Sequence, residues 1–178
     1  MYFCKKQEEM TKLYLIRHGE TVGNVEHIMQ GQMPGELTER GIAQAEALRD
    51  KFADVYFDAF ISSDLKRASD TCRIIAGPHD LPVITTPVLR ERDWGELTGK
   101  PVPATFDREW PASVETEEQI KERARRFIKY VTEQYPGKVV LAVGHGLMNR
   151  ALQAVHYGRE MKDIARMSNA DIRILELK

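Results

Sequence analysis

The sequence predicts an α/β domain with three layers, helices on both faces of a mainly parallel central sheet, and three observations predict it. Apolar runs of strand length alternate with amphipathic stretches of helical period along the chain, the pattern of βαβ units rather than of hairpins. Two of the runs, Leu13-Tyr14-Leu15-Ile16 and Val139-Val140-Leu141-Ala142-Val143, are continuously apolar, which suits strands covered on both faces. Each of the two ends in a histidine beside glycine, as Arg17-His18-Gly19 and as Gly144-His145-Gly146. Ligands of open α/β sheets bind in the crevice outside the carboxyl ends of the strands. The repetition therefore marks a site, since a core histidine does not require bare backbone beside it. Gly19 is read as a point where backbone and ligand approach closely.

At 178 residues the chain is long enough to bury a core as one domain. Residues 12–178 are expected to form it, and residues 1–11 a flexible N-terminal extension in which Met10 is a second candidate start. The formal net charge of −1 argues against a nucleic-acid surface or a polybasic membrane patch. Cys4 and Cys72 lack CxxC spacing, and His79 and His156 have no ligand pattern around them, so neither structural zinc nor a disulfide framework is expected. No apolar run approaches the roughly 18 residues of a membrane span, and residues 1–9 have no signal-peptide core. The expectation is a soluble cytoplasmic protein with no membrane or nucleic-acid partner; a homodimer is left open.

The first strand leads into residues 20–36, which read as a loop carrying Gly23, Asn24, Gly31, Pro34 and Gly35. Thr38 is the expected N-cap of a helix with Glu39 at its positive end and Ile42, Ala45, Leu48 and Phe52 on its core face. Phe57-Asp58-Ala59-Phe60-Ile61 is the second strand, and Ser62-Ser63-Asp64 the start signal of a helix with Leu65, Ala68, Cys72 and Ile75 inward. That phasing puts Arg67 in the first turn, near free backbone N–H groups, where an anion would bind.

A short strand over 82–85 follows, then an acidic loop holding Glu91, Asp93, Trp94 and Glu96, among whose carboxylates spacing does not choose. Pro101, Pro103 and Pro111 exclude a regular helix between 100 and 111. Thr116 or Ser113 caps a long helix over about 117–135, with Ile120, Ala124, Phe127, Ile128 and Val131 inward. Pro136-Gly137 stops it. The second histidine strand leads into a helix over about 147–155, and residues 172–177 alternate as a last strand.

Two histidines and two arginines without a metal-ligand pattern suit a tetrahedral oxyanion. Guanidinium groups match phosphate oxygens in bidentate fashion, and a protonated histidine adds charge. Phosphoryl transfer needs mostly positioning and electrostatic stabilisation. A neutral imidazole at a strand end can also attack phosphorus, with a carboxylic acid from another loop protonating the leaving oxygen.

These residues carry a resemblance to the histidine phosphatase superfamily, in its phosphoglycerate-mutase-like branch, which includes small phosphatases such as the alpha-ribazole phosphatases. Leu15-Ile16-Arg17-His18-Gly19-Glu20-Thr21 with Asn24 is similar to the family's opening signature, and Leu37-Thr38 with Gly41, Gln44, Ala45 and Leu48 to its following helix. Ser62-Ser63-Asp64-Leu65-Lys66-Arg67-Ala68 with Thr71 resembles the second signature. Leu89-Arg90-Glu91 with Trp94-Gly95 and Gly99 resembles the acid loop. Gly144-His145-Gly146 with Arg150, then Asn169-Ala170, resemble the closing signatures. The similarity runs in the family's order from about Lys12 onward.

The resemblance implies that His18 is the nucleophile and that Glu91 is the proton donor. It further implies that Arg17, Arg67 and His145 bind the phosphoryl group, with Asn24 adding a polar contact. It implies no metal and no cofactor. The chain departs from the family where Gly31-Gln32-Met33-Pro34-Gly35-Glu36 lacks the usual aspartate and proline arrangement. It departs again where Val114-Glu115-Thr116 replaces a Gly-Glu-Ser helix start, and where the segment after Gly99 is short and proline-rich, giving a reduced lid over 92–116. A reduced lid favours a phosphatase, because a mutase must keep water from its intermediate. The function expected is a phosphomonoester hydrolase working through a phosphohistidine on a small phosphorylated metabolite. The alternatives are a mutase and a catalytically inactive phosphate- or phosphopeptide-binding module.

Overall fold

The computed structural model describes residues 10–106 and 108–178. The expected extension, with Cys4, lies outside the described residues as far as position 9. Thr11, assigned to it, is instead buried at the start of the first strand. β1 (Thr11–Arg17), β2 (Ala59–Ser63), β3 (Val83–Thr86), β4 (Val139–Gly144) and β5 (Ile172–Leu177) form one sheet in the order β3-β2-β4-β1-β5. Its neighbours pair in parallel except β1 with β5. The expected α/β architecture is thus present, with the two histidine strands side by side at the centre.

Strand side chains alternate between two cores, as a period of two requires. Leu13, Leu15, Ala59, Ile61, Val140 and Ala142 face a core shared with α4 (Glu117–Gln134) and α5 (Gly146–Tyr157). Ile16, Phe60, Leu141 and Val143 face the other, shared with α2 (Glu39–Phe52) and α3 (Lys66–Ala76). Cys72 lies in that second core, where burial pushes its thiol up to about 12. Among the described residues no helix is long and apolar enough to cross a membrane.

Local chemistry sets most boundaries where the sequence places them. Thr38 Oγ1 accepts the Gly41 N–H at 3.0 Å to open α2. Thr116, rather than Ser113, closes a capping box with Gln119 to open α4. Ser113 bonds Glu96 instead. Four expectations are corrected. Residues 20–36 are not loop throughout, because Thr21 and Asn24 close a capping box around the short α1 (Val22–Val25). Ile42 is exposed, and the buried arc of α2 is Gly41, Ala45, Leu48 and Phe52. Gly41 takes the inner position of the first turn because α2 docks there backbone to backbone: a Cβ on Gly41 would collide with Glu20 O, and one on Gly19 with Gly41 O. Gly19 therefore makes room for a helix rather than for a ligand. Finally, Ser62 and Ser63 do not start α3 but finish β2, fully buried, and Leu65 is an N-cap without a side-chain bond.

Candidate active site

β1 and β4 pair with Arg17 opposite Gly144, so the chain leaves both strands at the same sheet edge with a histidine next in line. The rings of His18 and His145 lie 5.1 Å apart, centroid to centroid. His18 Nδ1 is 2.7 Å from Gly19 O. A carbonyl only accepts, so Nδ1 carries the proton and Nε2 keeps the lone pair. His145 Nε2 is 2.8 Å from Ser63 Oγ, which in turn accepts the Leu65 N–H at 3.3 Å. With the Ser63 hydroxyl donating to Nε2, the ring proton of His145 lies on Nδ1. Burial, then the charges of Arg67 and Arg17, hold His18 well below its usual range; burial and Arg67 do the same to His145. Both shifts favour the neutral ring, which suits a nucleophile at His18.

Arg17 ends β1 and donates from Nη1 to Met167 O at 2.6 Å. Arg67, in the first turn of α3 as expected, is 1% exposed. Its Nη2 donates to Gly31 O at 2.7 Å and its Nη1 to Met33 O. The free first-turn N–H anticipated there is absent at Arg67 itself, whose amide donates to Pro34 O at 3.1 Å. Burial brings the Arg67 pKa down to about 10. Buried polar atoms without a partner are few in folded proteins, and each asks for an explanation. Among the described residues five side-chain atoms are in that state, and three of them are Arg17 Nε, Arg67 Nε and His145 Nδ1.

Glu91 is the acid-loop carboxylate that reaches the site. Its Oε1 accepts the Arg92 and Met148 amides at 2.8 and 3.2 Å, and its Oε2 the Leu147 amide at 3.1 Å, so the side chain sits at the positive end of α5. A Cβ on Gly146 would lie 3.5 Å from the Arg17 guanidinium carbon and 3.7 Å from Glu91 Oε2. This glycine, unlike Gly19, does face the site. Asp93 and Glu96, which spacing could not separate from Glu91, are occupied elsewhere, with Gly95 N and with Ser113.

Asn24 both caps and lines. Its Oδ1 accepts Thr21 N at 3.1 Å and Asn169 Nδ2 at 3.0 Å while the residue borders the cavity. That cavity has a volume of about 1060 Å³ and is walled by Arg17, His18, Asn24, Arg67 and Glu91. His145 is fully buried, beside His18. Two supports escaped the sequence reading. Ser63, behind His145, was assigned to a helix start. Arg123 of α4 pairs with Glu115 at 2.7 Å and donates to the carbonyls of Val88 and Arg90 at 2.9 and 2.7 Å. It thereby clamps the loop that carries Glu91. Among the described residues no group of three or more His, Cys, Asp or Glu could hold a metal ion.

The profile of the histidine phosphatase superfamily (branch 1) matches residues 13–178. The chain belongs to this superfamily. A metal-independent phosphoserine phosphatase from Arabidopsis thaliana is 31% identical, over 98% of this chain and 79% of its own length. A 2,3-bisphosphoglycerate-dependent phosphoglycerate mutase from Gloeobacter violaceus is 35% identical, over 80% and 74%. Among solved structures, the alpha-ribazole phosphatase from Shigella flexneri superposes with a TM-score of 0.82 at 29% identity, covering 92% of this chain and 89% of that one. Histidine phosphatases that act as phosphatases and as mutases are thus both among its relatives, and the chain is an enzyme of that group.

Proposed function

We propose that the protein is a metal-independent phosphomonoester hydrolase that works through a phosphohistidine at His18 on a small phosphorylated metabolite. The observation that carries the reading is the trio of buried, unpartnered nitrogens on Arg17, Arg67 and His145. An unpaired buried donor costs on the order of 1–3 kcal/mol, more when charged. Three gathered round one imidazole mark a place where local stability yields to the binding of an oxyanion.

In the proposed cycle Arg17, Arg67, His145 Nδ1–H and Asn24 hold the phosphoryl oxygens, and His18 Nε2 attacks phosphorus. The N–P bond forms as the ester P–O bond breaks, and Glu91 gives its proton to the leaving oxygen. Glu91 then takes a proton from water, whose oxygen displaces His18 and frees inorganic phosphate. The lid supports hydrolysis over mutase chemistry. From 92 to 116 its regular structure is one 3-10 turn, Gly95–Leu97, and an isolated bridge from Pro101 to Ile28, among the described residues, so little secondary structure shields an intermediate from water.

Product analysis tests the reading. Steady release of inorganic phosphate from varied monoesters, a phosphoenzyme trapped on rapid acid quench and loss of both in His18→Ala are the expected results. Isomerised product without phosphate release would mean a mutase. Phosphate binding without turnover would mean a binding module.

A further inference from the structure

The phosphoryl cradle uses two guanidinium groups, yet the same cavity gathers five more cations. Arg92, Arg108, Arg150, Lys162 and Arg166 line it, against Glu91 and Glu117 as the lining carboxylates among the described residues. Glu117 is already engaged by Lys121 at 3.5 Å. None of the five cations has a carboxylate of a described residue within 4.0 Å. Among the solvated surface arginines elsewhere, Arg49, Arg73 and Arg125 find such partners, whereas Arg126 and Arg159 have none among the described residues.

One wall of this rim is a built piece of structure. Arg17 donates to Met167 O at 2.6 Å, and Arg150 donates to Ile164 O and Lys162 O at 2.8 and 2.9 Å. The segment that carries Lys162 and Arg166 is thus tied to the cradle at one end and to α5 at the other. Burial is the chief cause that lowers the pKa of Arg17 and of Arg150, and Arg166 lies close enough that its charge adds to both, an arrangement of like charges that an anion between them would relieve. Aromatic faces hold three of the cations: Arg92 is 4.7 Å from the Trp94 ring centre, Arg108 is 5.3 Å from that of Trp110, and Arg166, from the wall just described, is 5.5 Å from that of Phe106. Guanidinium groups held by their faces keep their N–H edges available for an anion. A volume of about 1060 Å³ is also that of a pocket for a whole small ligand rather than for a phosphoryl group alone.

We infer that the leaving group of the substrate carries a second anionic group, a carboxylate or a phosphate, and that Arg150, Lys162 and Arg166 receive it. This rests on the phosphomonoesterase reading and narrows its substrate class to phosphate esters of small acids or to bisphosphates.

The test is a set of esters that differ at one end: propyl phosphate, 3-phosphonooxypropanoate and propane-1,3-diyl bisphosphate. The expected result is a kcat/KM at least about tenfold higher for one of the two anionic esters than for propyl phosphate, the gain of one charge-assisted contact. Which ester gains identifies the anion. In Arg166→Ala, an exposed position, that ratio drops at least about fivefold, chiefly through KM. Arg126→Ala, which removes the same charge from the outer face of α4, keeps the ratio.

Equal kcat/KM for the three esters overturns the inference. So does a ratio that survives Arg166→Ala, or one that drops equally in Arg126→Ala, which would be long-range steering. Turnover of p-nitrophenyl phosphate without any preference sinks the second-anion subsite alone. No phosphate from any ester removes the hydrolase reading with it.

Discussion

The inner and outer halves of the cavity are built on different principles. Inside, His18, His145 and Arg67 sit at the ends of β1 and β4 and in the first turn of α3, each 3% exposed or less. Outside, Arg108 and Arg166 are exposed on irregular segments and Lys162 on a single 3-10 turn, Met161–Asp163. A sheet edge holds groups to within fractions of an ångström, as bond-making demands. Loops tolerate change and so suit the choice of substrate. On the proposed reading, the contrast puts chemistry on the scaffold and selectivity on the rim.

The largest expected effect tests that division directly. Arg67→Ala should lower kcat/KM on every phosphomonoester by about 10²–10³, read as initial rates across charged and uncharged leaving groups. A loss confined to esters with a second anion would erase the distinction between cradle and rim. Next, Glu91→Gln should slow alkyl phosphates by about 10², the scale of general acid catalysis. It should slow p-nitrophenyl phosphate, whose leaving oxygen needs little protonation, by less than about tenfold. Equal losses on both would take the proton-donor role from Glu91.

A smaller effect concerns pH. Because the folded-state pKa values of His18 and His145 are depressed, the unfolded chain binds protons near pH 6.5 that the folded one refuses. Their contribution is complete above pH 6.5 and is lost as pH falls below it, at up to about 1.4 kcal/mol per pH unit for each ring. Urea unfolding at pH 6.5 and 5.5 should show the fall, and His145→Asn should shrink it by about 1 kcal/mol. An undiminished slope in that variant would locate the acid sensitivity outside the cradle. The smallest effect is Thr38→Ala, which removes the α2 cap on the far face from the rim. It should cost about 1 kcal/mol, seen as a melting point lower by roughly 2–4 °C, with kcat held.

The inner half was legible in the sequence because its geometry is local. An apolar run announces a strand, and whatever follows it lies at the sheet edge, which is why His18, His145 and Arg67 converge as expected. Its errors were local as well. Ile42 was one residue off the buried arc because a backbone contact, Gly19 against Gly41, gives Gly41 the inner position of the first turn of α2, and no hydrophobic period reports such a contact. Ser63 was read as a helix start although two hydroxyls ending an apolar strand were the available clue to a partner for His145. Arg123 gave no signal: its partners Glu115, Val88 and Arg90 meet it only after α4 has packed against the acid loop. The rim was illegible for the same reason. Arg92, Arg150 and Arg166 share a cavity through the path of loops that obey no period.

Pairing Arg17 with Gly144 has a mechanical outcome. Neighbouring strands stand about 4.8 Å apart, and the two imidazoles, each one residue beyond that pair, are separated by nearly the same interval, 5.1 Å. Backbone ladder bonds, not side-chain fitting, act as the ruler. Residues 99–111 can therefore be rewritten, shortened or grafted from a cousin to suit a new ester while the distance between the imidazoles stays fixed.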